Sequence, residues 1–131
     1  MNESTQSIIR ETARASAEGR IHFGQVIAQL VSAGVESYSA DFRAHRTAYY
    51  LPDGQILDVP LDMPKVAIAN DFDAQALQAA IRGAQRGEVM YPEFKRLSCA
   101  AGCVGYMVWI AGRHVTYFGR RGETHIEKFP D

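Results

Sequence analysis

Shifted against itself by 68 positions without a gap, the chain brings its punctuating residues into register. Gly19 falls on Gly87, Ala33-Gly34 on Ala101-Gly102, Tyr38 on Tyr106, Tyr49 on Tyr117 and Gly54 on Gly122. Asn2 meets Asn70, Arg14 meets Arg82, and Ile21-x-Phe23 meets Val89-x-Tyr91. The identities are few, but they fall at helix ends, hairpin turns and paired strand aromatics, where backbone geometry limits the choice of residue. A chain with this pattern is constrained to build the same unit twice.

The unit can be read from either copy. In the first, Ser4 or Thr5 caps a helix that Gly19 ends, and a second helix runs from Phe23 to Ala33. Its apolar residues Phe23, Val26, Ile27, Leu30 and Val31 recur at three and four. After Gly34 the period changes to two. Tyr38, Ala40 and Phe42 alternate with Ser39 and Asp41, Thr47 to Tyr50 follows, and Pro52-Asp53-Gly54 turns the chain into a third strand ending at Val59. Pro60 to Asn70, with two prolines, reads as a linker.

In the second copy Asp71 or Asp73 caps a helix that Gly87 stops, Pro92 opens another, and Gly102 ends it. Val104 to Ile110, Arg113 to Phe118 and Glu123 to Phe129 then form a meander, with two-residue turns expected at Ala111-Gly112 and Arg120-Arg121. Each half is helix, helix, three antiparallel strands. Neither has enough core alone, so the expected fold is α+β: a two-layer sandwich of two such meander repeats related by a pseudo-twofold, in one domain spanning 1–131 with halves 1–63 and 69–131.

Composition excludes more than it suggests. Net charge is −1, with 47% hydrophobic and 22% charged residues, ordinary globular values that supply no basic patch for nucleic acid. No apolar run approaches the roughly 20 residues needed to cross a bilayer, and the polar first residues are no signal peptide. With Cys99 and Cys103 read as free thiols, a cytoplasmic protein is expected. Gly-rich phosphate loops, nucleophile elbows and paired-cysteine zinc spacings are absent, so no cofactor and no metal are expected.

A longer run in the second half carries a resemblance. Tyr91-Pro92-Glu93-Phe94, then Ala101-Gly102-Cys103-x-Gly105-Tyr106-x-Val108, then Gly112-Arg113-x-Val115-x-Tyr117-x-Gly119-Arg120-x-Gly122-x-x-His125-x-Glu127-x-Phe129-Pro130 resembles the signature of the YbcV/YdfO-like family. Gly34-Val35-Glu36-x-Tyr38 and Tyr49-Tyr50-x-Pro52-Asp53-Gly54 agree with it in the first half. The resemblance implies a two-layer α+β fold and little else. The family consists of uncharacterised bacterial proteins, often prophage-encoded and sometimes labelled phage envelope proteins, and no catalytic residues carry over. Ser39 stands where relatives often have His.

The last meander supplies the candidate residues. With two-residue turns, Trp109, His114 and Glu127 stand in one row of one face, Met107, Thr116 and His125 in the next, then Gly105, Phe118 and Glu123. His114, His125, Glu127 and Trp109 are therefore the candidate ligand-binding residues. The two imidazoles and the carboxylate could hold a metal as a 2-His-1-carboxylate set, or Glu127 could orient His114 for acid–base work. Against metal, residues two apart on a strand are about 6.5–7 Å apart at Cα. The plainer reading is a cross-strand Glu–His pair on a half-solvated face. A one-residue slip in strand register would dissolve the constellation.

Met107, Trp109 and Phe118 are candidates for a homodimer interface. The tyrosines Tyr38, Tyr49, Tyr106 and Tyr117 read as shared core, with Thr47 or Thr124 as hydroxyl partners, or else as the lining of a pocket. On this reading the protein is a non-enzymatic interaction or regulatory module. The alternative is a small-molecule binder or enzyme using the His/Glu face.

Overall fold

The computed structural model describes residues 1–130. The order is α1 (Glu3–Ala17), α2 (Phe23–Ser32), β1 (Ser37–Asp41), β2 (Arg46–Tyr50), β3 (Ile56–Pro60), α3 (Ala74–Gln85), α4 (Tyr91–Ala100), β4 (Cys103–Trp109), β5 (His114–Gly119) and β6 (Thr124–Lys128). Local chemistry accounts for the boundaries. Asn2, rather than Ser4 or Thr5, caps α1, its Oδ1 accepting the Thr5 N–H at 2.8 Å. Asp73 caps α3 through the Ala76 N–H. Pro92 occupies the first turn of α4, where no amide hydrogen is needed.

The two meanders join in one antiparallel six-stranded sheet of order β3-β2-β1-β4-β5-β6. The seam is the β1–β4 pair, in which Ser39 faces Met107, Ser37 faces Trp109 and Asp41 faces Gly105. Residues 39 and 107 differ by 68, so a twofold through that pair exchanges the halves, carrying Ser37 to Gly105 and Asp41 to Trp109. The left-handed backbone positions obey the same rule. Positive φ occurs at Gly19 and Gly87, Gly34 and Gly102, Gly54 and Gly122, and His45 and Arg113. The α+β expectation and its pseudo-twofold are thus met, and the halves share one sheet.

The helices cover one face only. Tyr38, Ala40, Tyr49, Val59, Tyr106, Val108, Val115 and Tyr117 point into the buried layer, against Ile9, Leu30, Leu77, Ile81 and Phe94. The linker is held down by side chains from elsewhere. Arg120 Nη2 donates to the Ile68 carbonyl at 2.9 Å, and buried Lys95 donates to the Asp62 carbonyl. Among the described residues the other sheet face carries no layer.

One expectation about the last meander fails. The β5–β6 connection is a three-residue loop, Arg120-Arg121-Gly122, with Gly122 at φ +82 and the Gly119 N–H donating to the Glu123 carbonyl. A turn closed by a left-handed glycine takes one residue more than the expected two. In consequence Val115, not His114, faces Glu127, and Tyr117 faces His125. The β4–β5 register is as expected, with Trp109 opposite His114.

Candidate functional site

The one-residue shift divides the candidate residues between two faces. Trp109 and His114 remain neighbours on the open face, with ring centroids 6.4 Å apart. The indole Nε1 there donates to Thr116 Oγ1 at 3.3 Å, and His114 Nδ1 lies 3.1 Å from the Gly112 carbonyl. His125 and Glu127 point the opposite way, into the layer under the helices, and Ile126 takes the open face, 61% exposed. A side-chain period of two makes this unavoidable once the register moves by one. The expected set of His114, His125 and Glu127 above Trp109 is therefore not assembled, and neither is the 2-His-1-carboxylate arrangement. Among the described residues no three His, Cys, Asp or Glu side chains gather as a metal cluster would require. Met107, Trp109 and Phe118 do share the open face.

On the inner face Glu127 is almost fully enclosed. Its Oε1 accepts from Arg82 Nε on α3 at 2.8 Å, and its Oε2 lies 3.0 Å from His125 Nε2. Burial opposes its charge, but the Arg82 guanidinium and His125 together outweigh it and hold the carboxyl below its usual range. A carboxyl lowered in the folded state stabilises the fold above its unfolded pKa, and that contribution is lost as pH falls through the folded value. Half-exposed Arg82 rehydrates readily, so the expected magnitude is about 1 kcal/mol. Denaturation curves between pH 7 and pH 3 should fall more steeply for the wild type than for Glu127→Gln. Parallel curves would show that the pair is energetically idle.

Between helices and sheet lies a cavity of about 450 Å³, reaching from Val59 on β3 to Glu127 on β6. Five tyrosines contribute to its lining. Tyr38, Tyr49, Tyr106 and Tyr117 rise from four adjacent strands and Tyr91 descends from α4. The rings lean on one another, Tyr38 stacked on Tyr49 at 5.4 Å and Tyr106 tilted against Tyr117 at 5.7 Å. Edges and hydroxyls are left to face the cavity. The hydroxyls of Tyr91 and Tyr106 bond each other at 2.7 Å. Those of Tyr38, Tyr49 and Tyr117 make no hydrogen bond to any described residue, yet they are not sealed in protein, as Ser98 Oγ is. Thr124, one expected partner, lies exposed on the open face.

Burial raises the pKa of all five phenols, so they remain neutral donors and acceptors throughout the physiological range. They are close enough that an ionised Tyr106, Tyr49 or Tyr117 would repel an ionised Tyr38. Five hydroxyls thus converge, and one pair is satisfied. Exposed Arg10, Arg14, His22 and Lys128 stand at the cavity rim.

Sequence reasoning did not single out Arg82, Lys95 or Tyr91 as parts of this site. Arg82 was visible only as the repeat partner of Arg14, and Tyr91 as that of Phe23 and as the first residue of the signature that carries the family resemblance. Lys95 Nζ sits 4.9 Å from the centre of the Tyr91 ring, holding it while binding the linker. The thiols take no part: both are free and buried, and burial pushes Cys103 up to about 11.

The chain is similar to uncharacterised proteins of Mycobacterium bovis and of two strains of Mycobacterium tuberculosis. Each is 31% identical over 118 residues, covering 88% of this chain and 70% of the relative. This chain belongs to their family. No protein-family model matches it. The relatives' names assign no activity, so function has to be argued from the cavity. No helix among the described residues is long and apolar enough to cross a membrane.

Proposed function

We propose that this chain is a non-enzymatic regulatory module that binds a small molecule in the cavity between its helices and its sheet. The observation that carries the reading is the set of three tyrosine hydroxyls, Tyr38, Tyr49 and Tyr117, that have no hydrogen-bond partner among the described residues and line a partly open cavity of about 450 Å³. Buried polar groups are almost always hydrogen-bonded, so whatever fills the cavity completes them. Ligand sites of this size, mostly apolar with a few converging polar groups, are the common form of small-molecule pocket. The direct test is titration with N-phenyl-1-naphthylamine, an uncharged dye that fluoresces on leaving water. Saturable binding of one equivalent to the native protein is expected. A signal that appears only on denaturation would refute the reading.

The module acts as one cytoplasmic domain that contacts neither nucleic acid nor membrane. We extend the reading to the YbcV/YdfO-like proteins. Gly34, Gly54, Gly102 and Gly122, all part of that resemblance, are positive-φ positions on which both copies of the unit turn.

A second reading concerns the open sheet face, which a second copy of the chain would cover in a homodimer. It is favoured by large apolar groups left in water on one side of the seam: Trp109 at 42% exposure, Phe118 at 36% and Ile126 at 61%, with Met107 beside them. Such a patch is typical of an isologous interface. Sedimentation velocity should show a dimer whose dissociation constant rises at least tenfold in Trp109→Ala, about the loss expected when a central aromatic is truncated. A wild-type monomer at 100-fold higher concentrations than a typical cellular protein would exclude it.

A further inference from the structure

The cavity is built on a near-symmetric frame but is not symmetric in charge. Tyr38 and Tyr106 are twofold mates on its floor, as are Tyr49 and Tyr117. At the two edge strands the equivalence breaks: Val59 lines the end at β3, and Glu127, its mate at an offset of 68, lines the end at β6. One step along the same edge strands, outside the lining, Leu57 corresponds to His125, which contacts Glu127. Arg14 and Arg82 are also mates, but only Arg82 has a carboxylate on the sheet to bind, and Arg14 turns to Glu11 instead. On the sheet floor the slot therefore ends in an aliphatic side chain, Val59, at β3 and in a carboxylate, Glu127, at β6, with hydroxyls between, while Thr47 and Asp62 add polar atoms near the β3 end.

We infer that the cavity takes an elongated, uncharged, largely apolar ligand that carries a hydroxyl at the end seated against Glu127 and Tyr117. This rests on the cavity being the binding site. Length follows from the lining, which spans the sheet from one edge strand to the other. The absence of net charge on the ligand follows from the electrostatics of the polar end. The Glu127 carboxylate is already balanced by Arg82 and His125, so a cation there would meet a neutralised partner after losing its hydration. An anion would lie against Glu127 itself.

A hydroxyl satisfies both neighbours. Each Glu127 oxygen accepts one hydrogen bond within the protein and keeps a lone pair. Tyr117 lines the cavity with Glu127, its ring 6.4 Å from that of His125, whose Nε2 lies 3.0 Å from Glu127 Oε2, and its O–H has no partner among the described residues. A ligand O–H donates to Glu127 and accepts from Tyr117, so both protein groups are completed by one atom and its proton. The free hydroxyls of Tyr38 and Tyr49 then meet the edge of the ligand body or the few waters left beside it.

Four flat, rod-like probes of one shape test this by calorimetry: trans-4-hydroxystilbene, trans-stilbene, trans-stilbene-4-carboxylate and trans-4-(aminomethyl)stilbene. The hydroxyl form should bind at least tenfold more tightly than each of the others, the difference that one well-made hydrogen bond to a charged group supplies. Tyr117→Phe and Glu127→Gln should each bring hydroxystilbene to within threefold of plain stilbene while stilbene itself binds as before. Both variants are near-isosteric, and their unfolding curves show whether they remain folded. Equal affinity for headed and headless probes, or tighter binding of either charged one, would overturn the inference and leave the cavity reading standing. Failure of all four, together with failure of the naphthylamine dye, would overturn both.

Discussion

Gly105→Ala should destabilise the protein by about 3 kcal/mol or more, enough to abolish the native state of a marginal domain. Gly105 lies in β4 opposite Asp41 of β1, on the only strand pair among the described residues that joins the two halves. A Cβ built there would stand 2.3 Å from the Ala40 carbonyl oxygen and 3.4 Å from the carbonyl carbon of the same residue. Both belong to backbone, which has no rotamer to yield, so the strands must part. Separating them breaks the seam that holds Tyr38 against Tyr106 and brings the two meanders into one sheet. Gly34→Ala provides the comparison. Its φ of +83 is strained for alanine, but nothing lies within 4 Å of the added atom, so a loss of about 1 kcal/mol is expected from strain alone. Urea denaturation of the two variants separates the cases. A loss below 1 kcal/mol for Gly105→Ala would mean that the seam is pliable and the halves are held together mainly through their helices.

Most of the frame was legible because it depends on local backbone chemistry. The glycines that matched at an offset of 68 are the ones with positive φ, and a left-handed residue is readable from sequence because so few side chains tolerate it. The apolar rows followed from periodicity. The register error came from the same region and had a remedy in view. Pro52-Asp53-Gly54 makes a three-residue turn, with the Leu51 N–H donating to the Gln55 carbonyl, and Gly54 matches Gly122. Carrying that turn across would have placed Arg120-Arg121-Gly122 in the loop and Glu127 under the helices. The relation between repeats was better information than the local sequence Arg120-Arg121, which carries no turn preference of its own.

The site was less legible, for a physical reason. A cavity is the space left between two layers, and its size depends on how far the helices stand from the sheet, which no local pattern encodes. Tyr38, Tyr49, Tyr106 and Tyr117 would read the same way in a sealed core as in a lined pocket. What separates the two cases is whether each hydroxyl finds a partner across the layers, and Thr47 and Thr124 were plausible partners until the fold placed Thr124 on the opposite face. The Arg82–Glu127 bond joins residues 45 positions apart, beyond any periodicity argument.

Ala84→Phe should abolish binding of the naphthylamine dye, lowering affinity more than 100-fold, while leaving the fold intact. Ala84 lies on α3 and lines the cavity from the helix side, so a phenyl ring there enters the space a ligand would occupy. Filling a cavity commonly stabilises a protein by about 0.5–2 kcal/mol, and phenylalanine costs roughly 0.5 kcal/mol of helix propensity relative to alanine. The net change in stability should therefore fall between about zero and 1.5 kcal/mol in favour of the variant. That combination separates two states of the same space. If the cavity is a ligand site, the variant is folded, as stable as the wild type or more so, and blind to the dye. If the dye instead binds the apolar patch around Trp109 and Ile126 on the open face, Ala84→Phe leaves binding unchanged and Trp109→Ala removes it. The second pattern would transfer the functional site to the uncovered face of the sheet and make the tyrosine floor a hydrated core.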